Sequence, residues 1–92
     1  MYYILFYKTV DGYIEKRIPF RPLHLELVNE SHNEGRLVMA GALTDPADGA
    51  VLIFKADSPA VAEDFARNDP YVKNGLIAEW YVRPWMVVVG GD

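Results

Sequence analysis

The stretch Tyr2-Tyr3-Ile4-Leu5-Phe6-Tyr7-Lys8, near the N-terminus, is aromatic or aliphatic at almost every position. In an extended chain the odd-numbered side chains of this stretch share one face and the even-numbered ones share the other. A strand with one face in water would alternate apolar with polar residues. The stretch therefore predicts a central strand that is covered on both faces.

The rest of the chain alternates helical and extended patterns around this strand. Apolar residues at helical spacing, a serine or aspartate followed by proline, and glycines after the last helical residue set the expected boundaries. The predicted elements are a charged loop at 15–17, a helix over 22–34, a strand over 36–44, a turn at 45–49, a strand over 51–54, a helix from Ser58-Pro59 to Asn68, a short turn from Asp69-Pro70 to Gly75, and a last strand over 76–89 that Pro84 divides into two arms.

This order of strand, helix, strand, strand, helix, strand predicts one α+β domain over residues 1–92 with a ferredoxin-like fold. Right-handed crossovers would place both helices on the same face of a four-stranded antiparallel sheet. The other face would be bare although its strands are apolar. A second copy of the chain is the simplest cover, so we expect a homodimer whose two sheets form a dimeric α+β barrel.

Composition excludes several classes of function. The formal charge is −4 and the pI is about 5.0, which argues against nucleic-acid binding. The chain has no cysteine and no apolar run long enough for a membrane helix. The N-terminus lacks the pattern of a signal peptide, so we expect a cytoplasmic protein that makes no membrane contact. No phosphate-binding loop or zinc-ligand spacing is present, which predicts neither a metal nor a cofactor.

His24 is the first candidate for chemistry. Pro22 suits the first position of a helix, which places His24 in the first helical turn. The positive end of the helix dipole disfavours imidazolium there and keeps the ring able to accept a proton. The alternative interpretation is a histidine that is only packed in the core. His32, in the last turn of the same helix, is expected on the surface.

Asp69 also has two interpretations. As the residue before Pro70 it is a good helix cap. Alternatively, its carboxylate orients the imidazole of His24. Arg17 and Arg21 lie close to His24 in sequence and are candidates to hold an anionic substrate.

Two further groups of residues are candidates for a binding pocket. The small residues of the strand over 36–44, Gly41 among them, would let a ligand approach the backbone closely. Four aromatic residues later in the chain suit either a pocket wall or the core and dimer interface. Of these four, Tyr71 and Trp80 are predicted to contact substrate, and the other two are Tyr81 and Trp85.

Four short motifs, Arg21–Leu25, Gly35–Gly41, Asp69–Gly75 and Arg83–Trp85, together resemble the YciI-like (YCII-related) family, in order and at similar spacing. The resemblance implies a ferredoxin-like fold in a dimeric α+β barrel. It also implies an active site built from a histidine and an aspartate, which correspond to His24 and Asp69. One branch of the family resembles dehydrochlorinases of chlorinated hydroxyhydroquinones, and the fold is shared with muconolactone isomerases and cofactor-free monooxygenases. The chain departs from many members at Ala42, where proline often follows the glycine, and in its short turn at 45–49.

These observations predict a small enzyme, independent of cofactors, that uses a His24–Asp69 dyad for acid–base chemistry. The substrate would be a small cyclic or phenolic molecule, and the reaction an elimination such as dehydrochlorination, or an isomerisation. The alternative is a module that binds a small ligand or a protein without catalysis.

Overall fold

The computed structural model describes residues 1–91. The elements in chain order are β1 (Tyr2–Thr9), α1 (Tyr13–Lys16), a 3₁₀ turn (Ile18–Phe20), α2 (Arg21–Asn33), β2 (Leu37–Ala42), β3 (Gly49–Lys55), α3 (Ala60–Asn68), α4 (Pro70–Lys73) and β4 (Ile77–Trp85).

The four strands form one antiparallel sheet in the order β2-β3-β1-β4. β1 lies between β3 and β4, as its apolar sequence predicted. The predicted ferredoxin-like α+β fold is confirmed.

Both long helices pack on one face of the sheet, because each presents an apolar stripe to the same row of strand residues. The odd-numbered residues of β1 are buried under them, and Leu5 is fully inaccessible to solvent. Burying a leucine of this kind stabilises the fold by about 1.5–3 kcal/mol. The buried cluster consists of Leu5, Tyr7, Leu37, Leu52, Phe54, Ala62, Phe65 and Ala66.

The opposite face of the sheet is open in the single chain. Phe6 and Tyr81 stack on it with ring centroids 4.9 Å apart, and Met39 is 62% exposed. The register places Phe6 opposite Val51 on one side and opposite Tyr81 on the other, so apolar residues of three strands adjoin there. This face carries the apolar residues for which the sequence predicted a cover.

Several predicted boundaries are wrong. α2 begins at Arg21, one residue early, so Pro22 is its second residue. The predicted loop at 15–17 overlaps α1, because Gly12 adopts a left-handed conformation that allows the chain to turn into a helix. β4 continues through Pro84 and ends at Trp85. Pro84 is tolerated within it because β4 is an edge strand, and the second predicted arm does not form a strand.

Candidate active site

Asp69 is placed by the short helix α4. Its side chain caps this helix by accepting a hydrogen bond from the backbone N–H of Tyr71 at 3.0 Å, which is the capping role expected before Pro70. The residue is completely buried. A buried carboxylate needs hydrogen-bond donors or a counter-charge, so the cap alone does not account for both oxygens.

His24 supplies a second donor to the same carboxylate. Its Nδ1 lies 2.8 Å from Asp69 Oδ1, and the histidine side chain is 15% exposed. The two residues come from α2 and α4 and are 45 positions apart in sequence. The structure therefore brings together the two residues of the predicted dyad, and Asp69 is both a helix cap and the partner of His24.

Tyr7, on the central strand, supplies a third donor. Its hydroxyl lies 2.7 Å from Asp69 Oδ2 in a fully buried contact. Burial raises the pKa of the Tyr7 hydroxyl, and the charge of Asp69 raises it further. Tyr7 thus stays protonated and donates, so that each oxygen of Asp69 accepts at least one hydrogen bond.

The ring of His24 is fixed by a stacked ring on one face as well as by the hydrogen bond in its plane. Tyr71 stacks on it with ring centroids 3.8 Å apart and an angle of 8° between the planes. Tyr13 in turn meets Tyr71 edge to face, with centroids 5.7 Å apart. The imidazole is therefore oriented by two residues of α4 and its cap, Asp69 in the plane and Tyr71 from one side.

A cavity of about 360 Å³ lies in front of the His24 ring, between α2 and the sheet. Arg17 and Arg21 line it together with His24 and Tyr71, so these four predicted site residues lie around the same cavity. Arg17 also lies over the ring of Tyr13, 5.2 Å from its centroid. Two guanidinium groups give this cavity a positive character, although the chain as a whole is acidic.

Small residues of β2 and β3 form the opposite wall of the cavity. They are Ala40, Gly41, Ala42 and Ala50. Gly41, one of the small residues predicted to admit a ligand, thus lies at the cavity. Ala42 belongs to the same wall.

Trp80 is the predicted site residue that the structure places elsewhere. It lies opposite Tyr7 on β4, packs against the buried cluster of α3 and carries the Arg67 guanidinium over its ring at 5.8 Å. It is not among the residues that line the cavity. Its indole is partly buried against the core beside α3, away from this cavity, so its contact with a substrate stays a prediction.

Sequence reasoning missed two tyrosines of the site, Tyr7 and Tyr13. The apolar pattern of β1 predicts that Tyr7 is covered, and the structure buries it, but a buried tyrosine hydroxyl also requires a hydrogen-bond partner. That requirement was the available signal. Tyr13 follows the turn at Asp11-Gly12 and carried no comparable signal.

Residues 1–91 contain neither a candidate metal cluster nor a helix that could span a membrane. No three His, Cys, Asp or Glu side chains in this range converge in a way that could hold a metal ion. No helix in the same range has the length and apolar character needed to cross a bilayer.

Comparisons with known proteins agree with this architecture. Residues 1–86 match the model of the YCII-related domain. An "Uncharacterized protein" of Haemophilus influenzae is 33% identical over 97 residues, which cover 96% of this chain and 99% of the relative. "Protein YciI" of Escherichia coli is 32% identical over 97 residues, with the same coverage.

Two solved structures share the fold. The 5-chloro-2-hydroxyhydroquinone dehydrochlorinase of Burkholderia phenoliruptrix, in complex with 2,5-dihydroxybenzoquinone, matches with a TM-score of 0.78 at 24% identity over 94% of each chain. The structured domain of BMY-1 from Caenorhabditis elegans matches with a TM-score of 0.52 at 17% identity, over 97% of this chain and 100% of that one. At these identities the likeness shows the fold alone.

Proposed function

The chain belongs to the YCII-related family, and on that premise we propose that it is a cofactor-independent enzyme in which His24 moves a proton on a small cyclic or phenolic substrate. The observation that supports this most directly is the 2.8 Å contact between His24 Nδ1 and the buried Asp69 carboxylate at the wall of a cavity. Asp69 would orient the imidazole, and the cavity would hold the substrate against it.

The hydrogen bonds around Asp69 select one tautomer of His24. A carboxylate only accepts, so the proton between Nδ1 and Oδ1 belongs to Nδ1. The lone pair of the neutral ring is then on Nε2, which is the nitrogen available to take a proton from a ligand. In other acid–base sites, too, a carboxylate that accepts a hydrogen bond from one ring nitrogen orients the imidazole, and the other nitrogen acts as the base.

Arg17 and Arg21 would bind the negative charge of the substrate. Guanidinium groups stay charged throughout the physiological pH range and present several donors to an oxygen anion. Removing a proton from a phenolic or enolic substrate leaves charge on oxygen, and nearby cations stabilise that charge as it develops. Both arginines line the same cavity as His24.

The shape of the cavity favours a planar ring. The alanine and glycine wall keeps side chains short opposite the stacked His24 and Tyr71 rings. The dehydrochlorinase with the same fold was solved with 2,5-dihydroxybenzoquinone, a flat ring that bears oxygens. We therefore propose hydroxylated quinols and quinones, or unsaturated lactones of similar size, as the substrate class.

Two reactions suit this arrangement. In an elimination, Nε2 would take a proton from the substrate, the freed electron pair would form a new double bond, and chloride would leave with its bonding pair. In an isomerisation, the imidazolium would return the proton to another atom of the same ring. The isomerisation leaves His24 neutral again, and after the elimination the imidazolium releases its proton to solvent.

A substrate screen tests this function. The intact protein is incubated with chlorinated hydroxyhydroquinones and with unsaturated lactones, and turnover is followed by quinone absorbance and chloride release. We expect wild-type turnover and a loss on the order of 10²–10⁴-fold in His24→Gln, the range that general acid–base catalysis contributes. His32→Gln, on the exposed end of the same helix, is the matched control and should keep wild-type activity.

The outcomes of this screen separate the two predicted functions. Turnover that survives His24→Gln contradicts the role of His24. Binding of these compounds by the wild type without any turnover would instead favour a ligand-binding module, because two arginines at a cavity can hold an anion without catalysing its reaction.

We also propose that the protein is a homodimer in which two sheets pack through their open faces. Val51, Phe6 and Tyr81 adjoin on that face, and single chains of this size rarely expose so continuous an apolar surface. A second copy would cover it with an identical surface, the self-complementary arrangement of a two-fold dimer.

A further inference from the structure

Tyr7 is the residue of this site whose role neither family resemblance nor motif assigns. It lies on the central strand β1, is 5% exposed, and lines the cavity in front of His24. Its hydroxyl donates to Asp69 Oδ2 at 2.7 Å, across 62 positions of sequence.

The two oxygens of Asp69 have different partners. Oδ1 accepts from His24 Nδ1 and from the backbone N–H of Tyr71. Oδ2 accepts from Tyr7. Without Tyr7, the buried Oδ2 would lose this donor, and the carboxylate would be fixed through one oxygen only.

The sheet holds Tyr7 rigidly. Its strand pairs on both sides, with Ala50 opposite it on β3 and Trp80 opposite it on β4. Asp69, in contrast, is attached to a helix of four residues, which has little intrinsic stability. The hydrogen bond therefore ties a short and weakly stabilised element to a strand that is paired on both sides.

We propose that Tyr7 is a positioning residue that acts through Asp69: its hydroxyl fixes the plane of the carboxylate and draws part of its negative charge away from His24. The inference rests on the proposed function only where it concerns turnover. The hydrogen-bonded series Tyr7–Asp69–His24 connects β1, the cap of α4 and α2.

The proposal predicts the direction of a change in His24. A carboxylate that no longer donates electron density to a Tyr7 hydrogen bond interacts more strongly with imidazolium. In Tyr7→Phe, the midpoint of the His24 titration should therefore rise. The lost hydrogen bond acts on Asp69 directly and reaches His24 only through that carboxylate, so the direction of the shift is the result to be tested.

Other charged or titratable groups also face this cluster, and the variant must leave them unchanged. They are Tyr13, Arg17, Arg21 and Tyr71. Tyr7→Phe keeps the ring and alters none of these groups, so a change in His24 reports the lost hydroxyl.

Tyr3→Phe is the matched control. Tyr3 is on the same strand and the same face, is 6% exposed, and donates its hydroxyl to the sulfur of Met1 instead of a carboxylate. It loses the same hydroxyl from the same kind of surroundings, but at a distance from His24.

The experiment is an NMR titration of the histidine ring protons in the intact protein. The chain has two histidines, so His24→Gln assigns both signals and His32 serves as an internal reference. The variants are Tyr7→Phe, Tyr3→Phe, Asp69→Asn and the double variant Tyr7→Phe/Asp69→Asn. We expect the His24 midpoint to rise in Tyr7→Phe alone, and the Tyr7 substitution to have no further effect once Asp69 is Asn.

Three results would overturn the proposal: equal midpoints in Tyr7→Phe and Tyr3→Phe, a fall instead of a rise, or a shift that persists in the Asp69→Asn background. If Tyr7→Phe does not fold, the wild-type protein still tests the hydrogen bond between Tyr7 and Asp69. A slowly exchanging Tyr7 hydroxyl proton should be visible in the wild type and lost in Asp69→Asn, and its absence in the wild type contradicts the hydrogen bond.

The titration needs no substrate, which separates this inference from the proposed function. A shifted midpoint in a protein without turnover would contradict the function and leave the role of Tyr7 intact. Turnover that depends on His24, together with an unshifted His24 midpoint in Tyr7→Phe, would support the function and contradict the role of Tyr7. Where turnover is found, the acidic limb of the pH–rate profile should move upward in Tyr7→Phe by the same amount as the midpoint.

Discussion

The rings of His24 and Tyr71 lie face to face, with their centroids 3.8 Å apart and their planes within 8° of parallel. Tyr71 is only two residues beyond Asp69, whose carboxylate accepts a hydrogen bond from the same imidazole. The short helix α4 therefore holds His24 in two perpendicular directions. A ring fixed in this way needs little reorganisation when a proton is transferred, which is an advantage in acid–base catalysis.

Asp69→Asn should separate the charge of Asp69 from its role as a helix cap. Asparagine caps helices about as well as aspartate, so the bond to Tyr71 N–H can persist. The negative charge beside His24 is lost, however, and the midpoint of the His24 titration should fall by about 1 pH unit or more. NMR titration of the ring protons measures this shift.

Asp64→Asn is the control for Asp69→Asn. Asp64 is an exposed carboxylate on α3. It accepts a hydrogen bond from Arg67 at 3.4 Å and does not belong to the His24 cluster. Its removal should leave the His24 midpoint unchanged. An unchanged midpoint in Asp69→Asn itself would show that the two side chains do not interact in solution.

Gly49 lets β3 approach the backbone of Tyr7. A Cβ at this position would lie 2.7 Å from the carbonyl oxygen of Tyr7, which is closer than a Cβ atom approaches other heavy atoms in folded proteins. Gly49→Ala should therefore lower the free energy of unfolding by about 1–3 kcal/mol, as overpacking usually does. Urea denaturation followed by circular dichroism gives the value.

The matched variant for Gly49→Ala is Gly41→Ala on the neighbouring strand. A Cβ at Gly41 meets no atom of the chain within 4 Å. The two variants add the same methyl group to adjacent strands, so similar losses of stability would contradict the close approach at Tyr7.

Much of the fold could be predicted because the patterns that encode it are local. The continuous apolar character of β1 and the apolar stripe of α3 each follow from which faces of one element are buried. The loop predicted in place of α1, and the predicted end of β4, were wrong for the opposite reason. They depend on the left-handed Gly12 and on the edge position of β4, which sequence patterns do not show.

The site was predictable only in part, because its central contact joins residues far apart in the chain. A sequence can nominate Asp69 as a cap, but the same oxygen also accepts from His24, 45 residues away. Trp80 and Tyr71 were both predicted to contact substrate, because both are aromatic. Only the packing of α3 against Trp80, and of α4 against His24, distinguishes them.

Alkaline pH should destabilise the protein through Tyr7. Burial, and then the charge of Asp69, raise the pKa of the Tyr7 hydroxyl above its ordinary value of 10.0. Below pH 10 both the folded and the unfolded chain keep this proton. Above pH 10 the unfolded chain releases it and the folded chain does not, so the free energy of unfolding should fall by up to about 1.4 kcal/mol per pH unit from this group.

Tyr7→Phe removes that contribution, and its stability should therefore decline less steeply above pH 10 than that of the wild type. Tyr71, whose pKa is also raised by burial, contributes to the slope of both proteins and cancels in the comparison. Urea denaturation at half-unit steps from pH 9 to 11 gives the two slopes, and parallel slopes would show that Tyr7 ionises normally in the folded state.

The open face of the sheet should hold two chains together. Light scattering at micromolar concentration should give about twice the chain mass of 10.4 kDa. Tyr81, 49% exposed and stacked on Phe6, lies on that face, so Tyr81→Lys would place a charge in the interface and should yield a monomer. Leu23→Lys is the matched control, because Leu23 is 57% exposed but belongs to α2 on the other side of the sheet. A wild-type monomer, or equal masses for the two variants, would mean that this face is not where the chains meet.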